Sequence, residues 1–165
     1  MDIMGQTDIA SFFTNPDDRF MEEALKEALK AHDLGEVPVG AVIVHEGRII
    51  ARAHNQVEML NDATAHAEII ALTQASAALE NWRLIDTTLY VTKEPCPMCA
   101  GAMVNARVSR LVYGVADTKY GAAGSVFDVA DNPCLNHRIA VVGGVKEDRS
   151  RELLQSFFMK LRNKI

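Results

Sequence analysis

Residues 88–114 read TLYVTKEPCPMCAGAMVNARVSRLVYG, and the order of apolar and polar residues within them indicates the architecture. The apolar runs at 88–92 and 110–114 predict two strands. Between them, Pro97 predicts the start of a helix that extends to about residue 107. Two strands separated by a helix predict a parallel crossover, because the chain must return to the same end of the sheet before the second strand begins. The stretch therefore predicts a β-α-β unit.

The segments on either side of this unit extend the same pattern of helices and strands. The elements predicted from apolar periodicity are helices at about 16–30 and 65–80, a hairpin of strands at 37–44 and 48–53, a polar loop at 55–62, a short strand at 139–142 and a closing helix at 148–164. Together they predict an α/β fold, a three-layer α/β/α sandwich whose mixed central sheet has about five strands.

The length and composition fit one globular domain. The chain has 165 residues, 48% of them apolar and 24% charged. Residues 1–15 have no sustained period, so we expect a loose N-terminal arm ahead of a single domain at 16–165. No run approaches the roughly 20 apolar residues that span a bilayer, and no export signal is visible. We therefore expect no membrane segment and a cytoplasmic location.

The net charge limits the contacts that the chain could make with nucleic acid. A net charge of -5 and a pI near 5.5 argue against a protein that coats nucleic acid non-specifically. Any contact with RNA or DNA must therefore be local, on one face of the molecule.

The three cysteines indicate metal binding or catalysis. They cannot all pair within one chain, and a reducing compartment disfavours disulfides. Cys96 and Cys99 are three residues apart at the start of a predicted helix, where free N–H groups and the helix dipole favour thiolates. This pair predicts a metal clip. A redox disulfide is the alternative that this spacing alone leaves open.

His66 adds a third possible ligand. It lies at the start of another predicted helix, so both helix starts can converge at one edge of the sheet. A Cys, Cys, His set suits zinc. Three protein ligands leave a position for water, as in catalytic sites, whereas a fourth, from Cys134 or His137, would make the site structural. Neither of these two residues has clip spacing relative to the other ligands.

Glu68 favours the catalytic alternative. A carboxylate two residues after a zinc-binding histidine can reach over the metal and take a proton from bound water. A glutamate in the first turn of a helix can also serve only as a partner of the helix dipole.

Two motifs give these residues a family resemblance. The segments His66-Ala67-Glu68 and Pro95-Cys96-Pro97-Met98-Cys99 resemble the H-x-E and P-C-x-x-C motifs of the zinc-dependent cytidine and nucleobase deaminases. More of the chain resembles the bacterial tRNA-specific adenosine deaminases. The segments that carry this second resemblance are EVPVGA at 36–41, TAHAEI at 64–69, NWRL at 81–84, EPCPMCAGAM at 94–103 and GAAGS at 121–125.

The resemblance implies a fold, an activity and a partner. The implied fold is that of cytidine deaminase, which agrees with the sandwich predicted from periodicity. The implied reaction is hydrolytic deamination of adenosine to inosine at the wobble position of a tRNA anticodon stem-loop, by a homodimer with one Zn²⁺ per subunit. His66, Cys96 and Cys99 would hold the zinc, and Glu68 would carry the proton.

The resemblance also implies contacts with the substrate. The implied contact residues are Val39, Asn55, Lys119, Asn136, His137 and Phe158. From the residues alone, Asn55 is typical of a turn that ends a strand, and Lys119 is typical of a solvated surface lysine. Phe157 and Phe158 are typical of the apolar side of a helix, although one of them could stack on a base.

Two departures from the family pattern concern the loop before His66 and the expected grip of the closing helix on phosphate. Ala63 stands where the family generally has proline, so we expect a less rigid loop before His66. The closing helix has fewer arginines than its relatives, which favours a deaminase of a free base or nucleoside such as guanine or cytosine as the alternative. A binding module that keeps zinc only for structure is a second alternative, and Glu68 argues against it.

Overall fold

The structure is a computed structural model that describes residues 15–165, so the predicted N-terminal arm lies outside the described residues apart from Asn15. The helices are α1 Pro16–Asp33, α2 Val57–Leu60, α3 Ala67–Leu79, α4 Pro97–Asn105 and α5 Glu147–Arg162. The strands are β1 Gly40–His45, β2 Arg48–His54, β3 Thr87–Lys93, β4 Arg110–Val115 and β5 Ala140–Val142. Among the described residues, no helix is both long and apolar enough to cross a membrane.

The five strands form one mixed sheet in the order β2-β1-β3-β4-β5. β1 runs antiparallel to both of its neighbours, whereas β3, β4 and β5 run parallel to one another. The predicted crossover through α4 and the predicted hairpin are both confirmed. Because β2 and β3 are both antiparallel to β1, β2 runs in the same direction as β3 and β4. The three strands therefore end at one edge of the sheet, at His54, Lys93 and Val115, which we call the carboxyl edge.

Helices cover both faces of the sheet, which confirms the predicted three-layer sandwich. Alternate residues of β1 point to opposite faces. Ala41 and Ile43 join the core beneath α3 and α4, and Val42 and Val44 join the core beneath α1. α5 packs beside α1 on β4.

Gly40 lets α1 approach the sheet closely. A Cβ atom at this position would lie 2.0 Å from the carbonyl oxygen of Ala24 and 2.4 Å from the amide nitrogen of Ala28. Both contacts are with helix backbone, which cannot move aside without shifting α1. A glycine at the start of β1 is therefore required by packing, as is usual where two backbones approach closely.

The predicted polar loop at 55–62 is wrong in one respect, because it contains the short helix α2. The buried carboxylate of Glu36 accepts hydrogen bonds from the backbone N–H groups of Glu58 and Met59 at 3.2 and 2.8 Å. It thereby satisfies two of the amide donors that a helix start leaves free. α2 depends on this contact from a residue more than 20 positions earlier in the chain.

The predicted apolar side of the closing helix is only partly buried. Phe157 is 6% exposed, whereas Phe158 and Leu161 are 46% and 43% exposed. The apolar residues in the final turns of α5 are therefore not all covered by the core. They contribute instead to the cavity described below.

A charged pair joins the start of α1 to the start of β4. The carboxylate of Asp17 accepts two hydrogen bonds from the guanidinium of Arg110, each 2.7 Å, and one from the Tyr90 hydroxyl at 2.8 Å. The Arg110 hydrogen bonds lower the pKa of Asp17 below its usual value of 3.8. The ion pair therefore contributes its full stabilisation above about pH 3.8, and this contribution is lost as the pH falls through the lowered pKa of Asp17.

We expect Asp17→Asn to lower the free energy of unfolding at pH 7 by about 1–2 kcal/mol, because the change leaves a half-exposed guanidinium without its charged partner. Urea denaturation followed by circular dichroism measures the difference. Asp18→Asn is the matched control, since Asp18 lies in the same helical turn and the charge change is equal. Equal destabilisation by the two variants would contradict the assignment.

Candidate metal centre

Three side chains converge at the carboxyl edge. α3 begins directly after His66 and α4 directly after Cys96, and both capping residues have extended backbone angles. Cys99 follows in the first turn of α4. His66 Nδ1 lies 3.7 Å from Cys96 Sγ and 3.4 Å from Cys99 Sγ, and all three ligand atoms lie within 4.8 Å of one another. The structure thus brings together the three residues that the sequence marked as ligands.

The spacing of these atoms fits a tetrahedral zinc ion. Zinc bonds of about 2.3 Å to sulfur and about 2.05 Å to nitrogen put the two ligand atoms about 3.6 Å apart at a tetrahedral angle. The measured separations of 3.4 and 3.7 Å lie on either side of that value.

Within residues 15–165, no fourth histidine, cysteine or carboxylate joins this cluster. Cys134 is exposed at the surface, and His137 forms a 2.7 Å hydrogen bond between its Nε2 and the carbonyl of Val108. Neither residue is placed to close the coordination shell. The geometry therefore favours an open site, with room for a ligand that the chain does not supply.

The two thiols differ in acidity. The hydrogen bond from the Cys99 thiol and the contact with His66 lower the pKa of Cys96 to about 4. The hydrogen bond to Cys96, together with burial, raises the pKa of Cys99 well above its usual range. The cluster thus favours the thiolate form of Cys96 and the protonated form of Cys99. A metal cation must displace that proton, so its affinity rises with pH.

Glu68 lies in the first turn of α3 beside the three ligands. Its side chain is 4% exposed, and its Oε2 atom has no hydrogen-bond partner among the described residues. Burial raises the pKa of this carboxyl. A glutamate that served only the helix dipole would lie in solvent, and a buried, unpaired carboxyl oxygen is costly. The arrangement favours a group that exchanges a proton with a bound ligand.

A cavity of about 670 Å³ opens over the cluster. One wall is formed by the last turns of α5, which overhang the carboxyl edge. Six residues predicted to bind metal, carry the proton or contact substrate line this cavity: Val39, Asn55, His66, Glu68, Cys96 and Phe158. Its size suits a nucleobase with its sugar.

The orientation of the Asn55 amide is fixed by the start of α3. Its Oδ1 accepts a hydrogen bond of 2.9 Å from the backbone N–H of Ala67, and the residue is 8% exposed. Only the oxygen can accept from that N–H group, so the amide NH₂ is left to donate. Asn55 therefore offers the cavity a hydrogen-bond donor, which a simple turn residue would not do.

The loop before His66 is held by hydrogen bonds to Asp62. Asp62 Oδ1 accepts hydrogen bonds from the backbone N–H and the hydroxyl of Thr64, at 2.8 and 2.7 Å. The backbone carbonyl of Asp62 also accepts from the N–H of Ala65 at 3.1 Å. This side-chain turn offsets the loss of rigidity expected from Ala63.

Glu94 positions the wall formed by residues 117–125, a role that was not predicted from the sequence. The residue is 2% exposed. Its Oε1 accepts from the N–H groups of Ala123 and Ser125, at 3.1 and 3.0 Å, and its Oε2 accepts from the N–H of Asp117 at 3.0 Å and from the Ser125 hydroxyl. Glu94 thus ties residues 117–125, the 117–125 loop, to the segment that carries Cys96. The sequence signal for this role is a glutamate directly after β3 and two residues before Cys96.

The sequence and the structure both match known deaminases. The family model described as MafB19-like deaminase matches residues 15–162. The chain is 49% identical over 148 residues to the tRNA-specific adenosine deaminase of Bacillus subtilis, covering 90% of this chain and 92% of the relative. It is also 49% identical over 146 residues to that of Aquifex aeolicus, covering 88% of this chain and 96% of the relative.

The chain belongs to the tRNA-specific adenosine deaminases, within the MafB19-like deaminase family. A solved structure from a study of A-to-I editing by tRNA deaminases at the wobble position superimposes with a TM-score of 0.79 and 48% identity, covering 82% of this chain and 99% of that one. The guanine deaminase of Bacillus subtilis has a TM-score of 0.59 and 34% identity, covering 88% and 93%. Both comparisons agree with the sandwich fold.

Three of the residues expected to contact substrate lie outside the cavity of this deaminase. Lys119 lines a neighbouring depression, described further below. Asn136 Oδ1 lies 3.4 Å from Arg107 Nη1, and His137 bonds to the carbonyl of Val108. Both contacts precede β4, at the opposite end of that strand from the carboxyl edge. The structure therefore does not bring Asn136 and His137 to the candidate site, and their role in substrate binding stays a prediction.

We expect Glu94→Gln to loosen the 117–125 loop, because an amide nitrogen facing backbone N–H groups cannot accept their hydrogen bonds. Loss of bonds to a charged acceptor costs about 1.5–3 kcal/mol, so hydrogen exchange in the loop should accelerate at least about ten-fold. Exchange followed by mass spectrometry measures this. Glu46→Gln, in the exposed turn between β1 and β2, is the control, and unchanged exchange in both variants would contradict the role given to Glu94.

Proposed function

We propose that this chain is a zinc-dependent deaminase that converts adenosine to inosine at the wobble position of tRNA, and that residues 16–165 form its single domain. The observation that carries the proposal is the cluster of His66, Cys96 and Cys99 with the buried Glu68 beside it, at the base of a cavity of about 670 Å³. The names of the curated relatives support the choice of substrate. A tRNA substrate also agrees with the predicted cytoplasmic location.

Zinc is the metal that this donor set favours. Two cysteine sulfurs and one imidazole nitrogen are ligands that zinc prefers, and His66, Cys96 and Cys99 would hold one ion per subunit. When bound, zinc lowers the pKa of a coordinated water toward about 7. The chain's own contribution is to present three ligands and leave space for that water.

Glu68 moves the protons of the reaction. Hydrolytic deamination replaces the C6 amino group of adenine by oxygen from water and releases ammonia. The Glu68 carboxylate takes one proton from the attacking water and delivers it to ring N1. It then takes the second proton from the new C6 hydroxyl and delivers it to the departing amine, which leaves as ammonia while the C6 carbonyl forms. Burial raises the pKa of this carboxyl, which makes its carboxylate form a stronger base than an exposed glutamate and suits it to accept a proton from water.

The remaining walls recognise the nucleoside. The NH₂ group of Asn55 can donate to an acceptor on the base or sugar, since its oxygen is occupied at the start of α3. Val39 provides an apolar contact inside the cavity, and the half-exposed Phe158 ring can stack on a base at its rim. We propose these three residues as the substrate contacts within the cavity.

The test is a substrate panel with wild-type protein loaded with zinc. We expect ammonia release from an anticodon stem-loop with adenosine at the wobble position and none from free guanine, cytosine or adenine. Turnover of a free base with an inert stem-loop would contradict the proposal and support the alternative free-base deaminase, which uses the same zinc chemistry.

We expect Glu68→Gln to lose activity by about 10²–10⁴-fold, since proton transfer by a placed side chain contributes that much. Its zinc content, measured by atomic absorption, should equal that of wild type. Glu80→Gln, at the exposed end of the same helix, is the matched control and should keep wild-type activity. Loss of zinc together with activity would instead make Glu68 part of the metal shell.

We also propose that the chain forms a homodimer through the outer side of α3 and α4. The exposed side of α3 carries Ala77 and Ala78 as well as Thr73 and Gln74, so its apolar residues are not confined to the side that faces the sheet. An open groove on that side is mostly apolar, and Trp82 in it is 55% exposed. The residues that line it are Ile69, Leu72, Trp82, Ala102 and Ala106, with the polar Thr73, Ser76 and Asn105. A second copy of the chain would cover these side chains.

Light scattering after size-exclusion chromatography tests the dimer, with an expected mass of twice 18.1 kDa. We expect Ile69→Glu to give the monomer mass, because a carboxylate would be buried in the interface without a partner. Leu29→Glu, a change at an exposed leucine of α1, is the control and should leave the dimer intact. A monomeric wild-type protein would contradict the proposal.

A further inference from the structure

Lys93 stands on the wall between two depressions. It is the last residue of β3, at the carboxyl edge, and it lines the cavity over the metal ligands. It also lines a neighbouring depression of about 580 Å³ beneath the last turns of α5. The two depressions share Lys93, Asp117 and Phe158. A flexible molecule that extends from one into the other therefore passes close to Lys93.

The neighbouring depression is positively charged. Its lining includes Lys93, Lys119, Arg151 and Arg162, against a single acidic residue, Asp117. Arg151 is paired with Glu147 and Asp148. Within residues 15–165, neither Lys119 nor Arg162 forms an ion pair. In a chain of net charge -5, this cluster is a local basic patch of the kind that a polyanion would need.

Asp117 holds Lys93 in place. Lys93 Nζ lies 2.9 Å from Asp117 Oδ2, and the lysine side chain is 34% exposed. Asp117 is itself fixed, because its Oδ1 accepts from the N–H groups of Lys119 and Tyr120 at 2.9 and 3.1 Å, and its own N–H donates to Glu94. An ammonium group has three donors, and Asp117 uses one. Lys93 can therefore bind an anion without leaving Asp117.

We propose that Lys93 binds the backbone phosphate next to the reacting nucleotide, and that the RNA strand leaves the metal cavity across Lys93 into the basic depression. The inference rests on the proposed function and narrows its substrate to a nucleotide within a strand. One strand can occupy both spaces, because the two depressions are adjacent and share Lys93, Asp117 and Phe158. A free base or nucleoside has no anionic group to place there, whereas a nucleotide in a strand does.

The test compares Lys93→Met with wild type on the anticodon stem-loop, because methionine keeps much of the stem and removes the charge. At about 0.1 M salt we expect KM to rise about 5–10-fold with kcat within about two-fold, since a phosphate contact acts on binding. The slope of log Kd against log salt concentration, from fluorescence anisotropy, should fall by about 0.7–1. Lys93→Arg should restore both values.

A matched control and a modified substrate exclude a merely structural role. Lys26→Met removes another carboxylate-paired lysine, on the outer side of α1, and should leave KM and the salt slope unchanged. A stem-loop with a neutral methylphosphonate next to the target adenosine should weaken binding by wild type and leave Lys93→Met unaffected.

The outcomes separate this inference from the proposed function. An inert stem-loop with wild-type protein would contradict the proposed activity, while the anisotropy slopes would still test Lys93. A Lys93→Met protein with an unchanged slope would overturn the inference even if wild type deaminates the stem-loop. A fall in kcat at constant slope would overturn it as well, because it would make Lys93 only a support for the 117–125 loop.

Discussion

The common direction of β2, β3 and β4 is the constraint on which the site depends. Because these strands end at one edge of the sheet, the helices that follow β2 and β3 both begin there. Each helix start brings free N–H groups and a positive dipole end to the same place, which favours thiolate and other anionic ligands. His66 and Cys96 occupy the capping positions of α3 and α4, so the strand directions and the segment that contains α2 together bring them close.

Buried polar side chains, each bonded to backbone N–H groups of another element, hold the walls of this site. Glu36 caps α2, Asn55 caps α3, and Glu94 ties down the 117–125 loop. All three are at most 8% exposed and all three line the cavity. A polar group can be buried at low cost only when its bonds are satisfied, so each fixes the geometry of its loop closely. The hydrophobic core supports the sheet and helices, and these carboxylates and this amide shape the cavity.

Features encoded in short stretches could be predicted from the sequence. The crossover, the hairpin and the ligand residues follow from strand periodicity and from the i, i+3 spacing of Cys96 and Cys99. Features that depend on distant residues could not be predicted in this way. α2 requires Glu36, and the role of Glu94 requires partners more than 20 residues later. The exposure of Phe158 could not be predicted either. The periodicity of a helix identifies its apolar side, but not which residues of that side a neighbouring element covers.

The central claim is that the chain supplies three ligands to a zinc ion and leaves one position for water. X-ray absorption spectroscopy of the zinc-loaded protein tests this most directly. The account predicts two sulfur ligands at about 2.3 Å and two nitrogen or oxygen ligands at about 2.0–2.1 Å, one of them exchangeable water. A third sulfur, or a second histidine in place of the water, would contradict it, because the site would then be closed and Glu68 would have no water from which to take a proton.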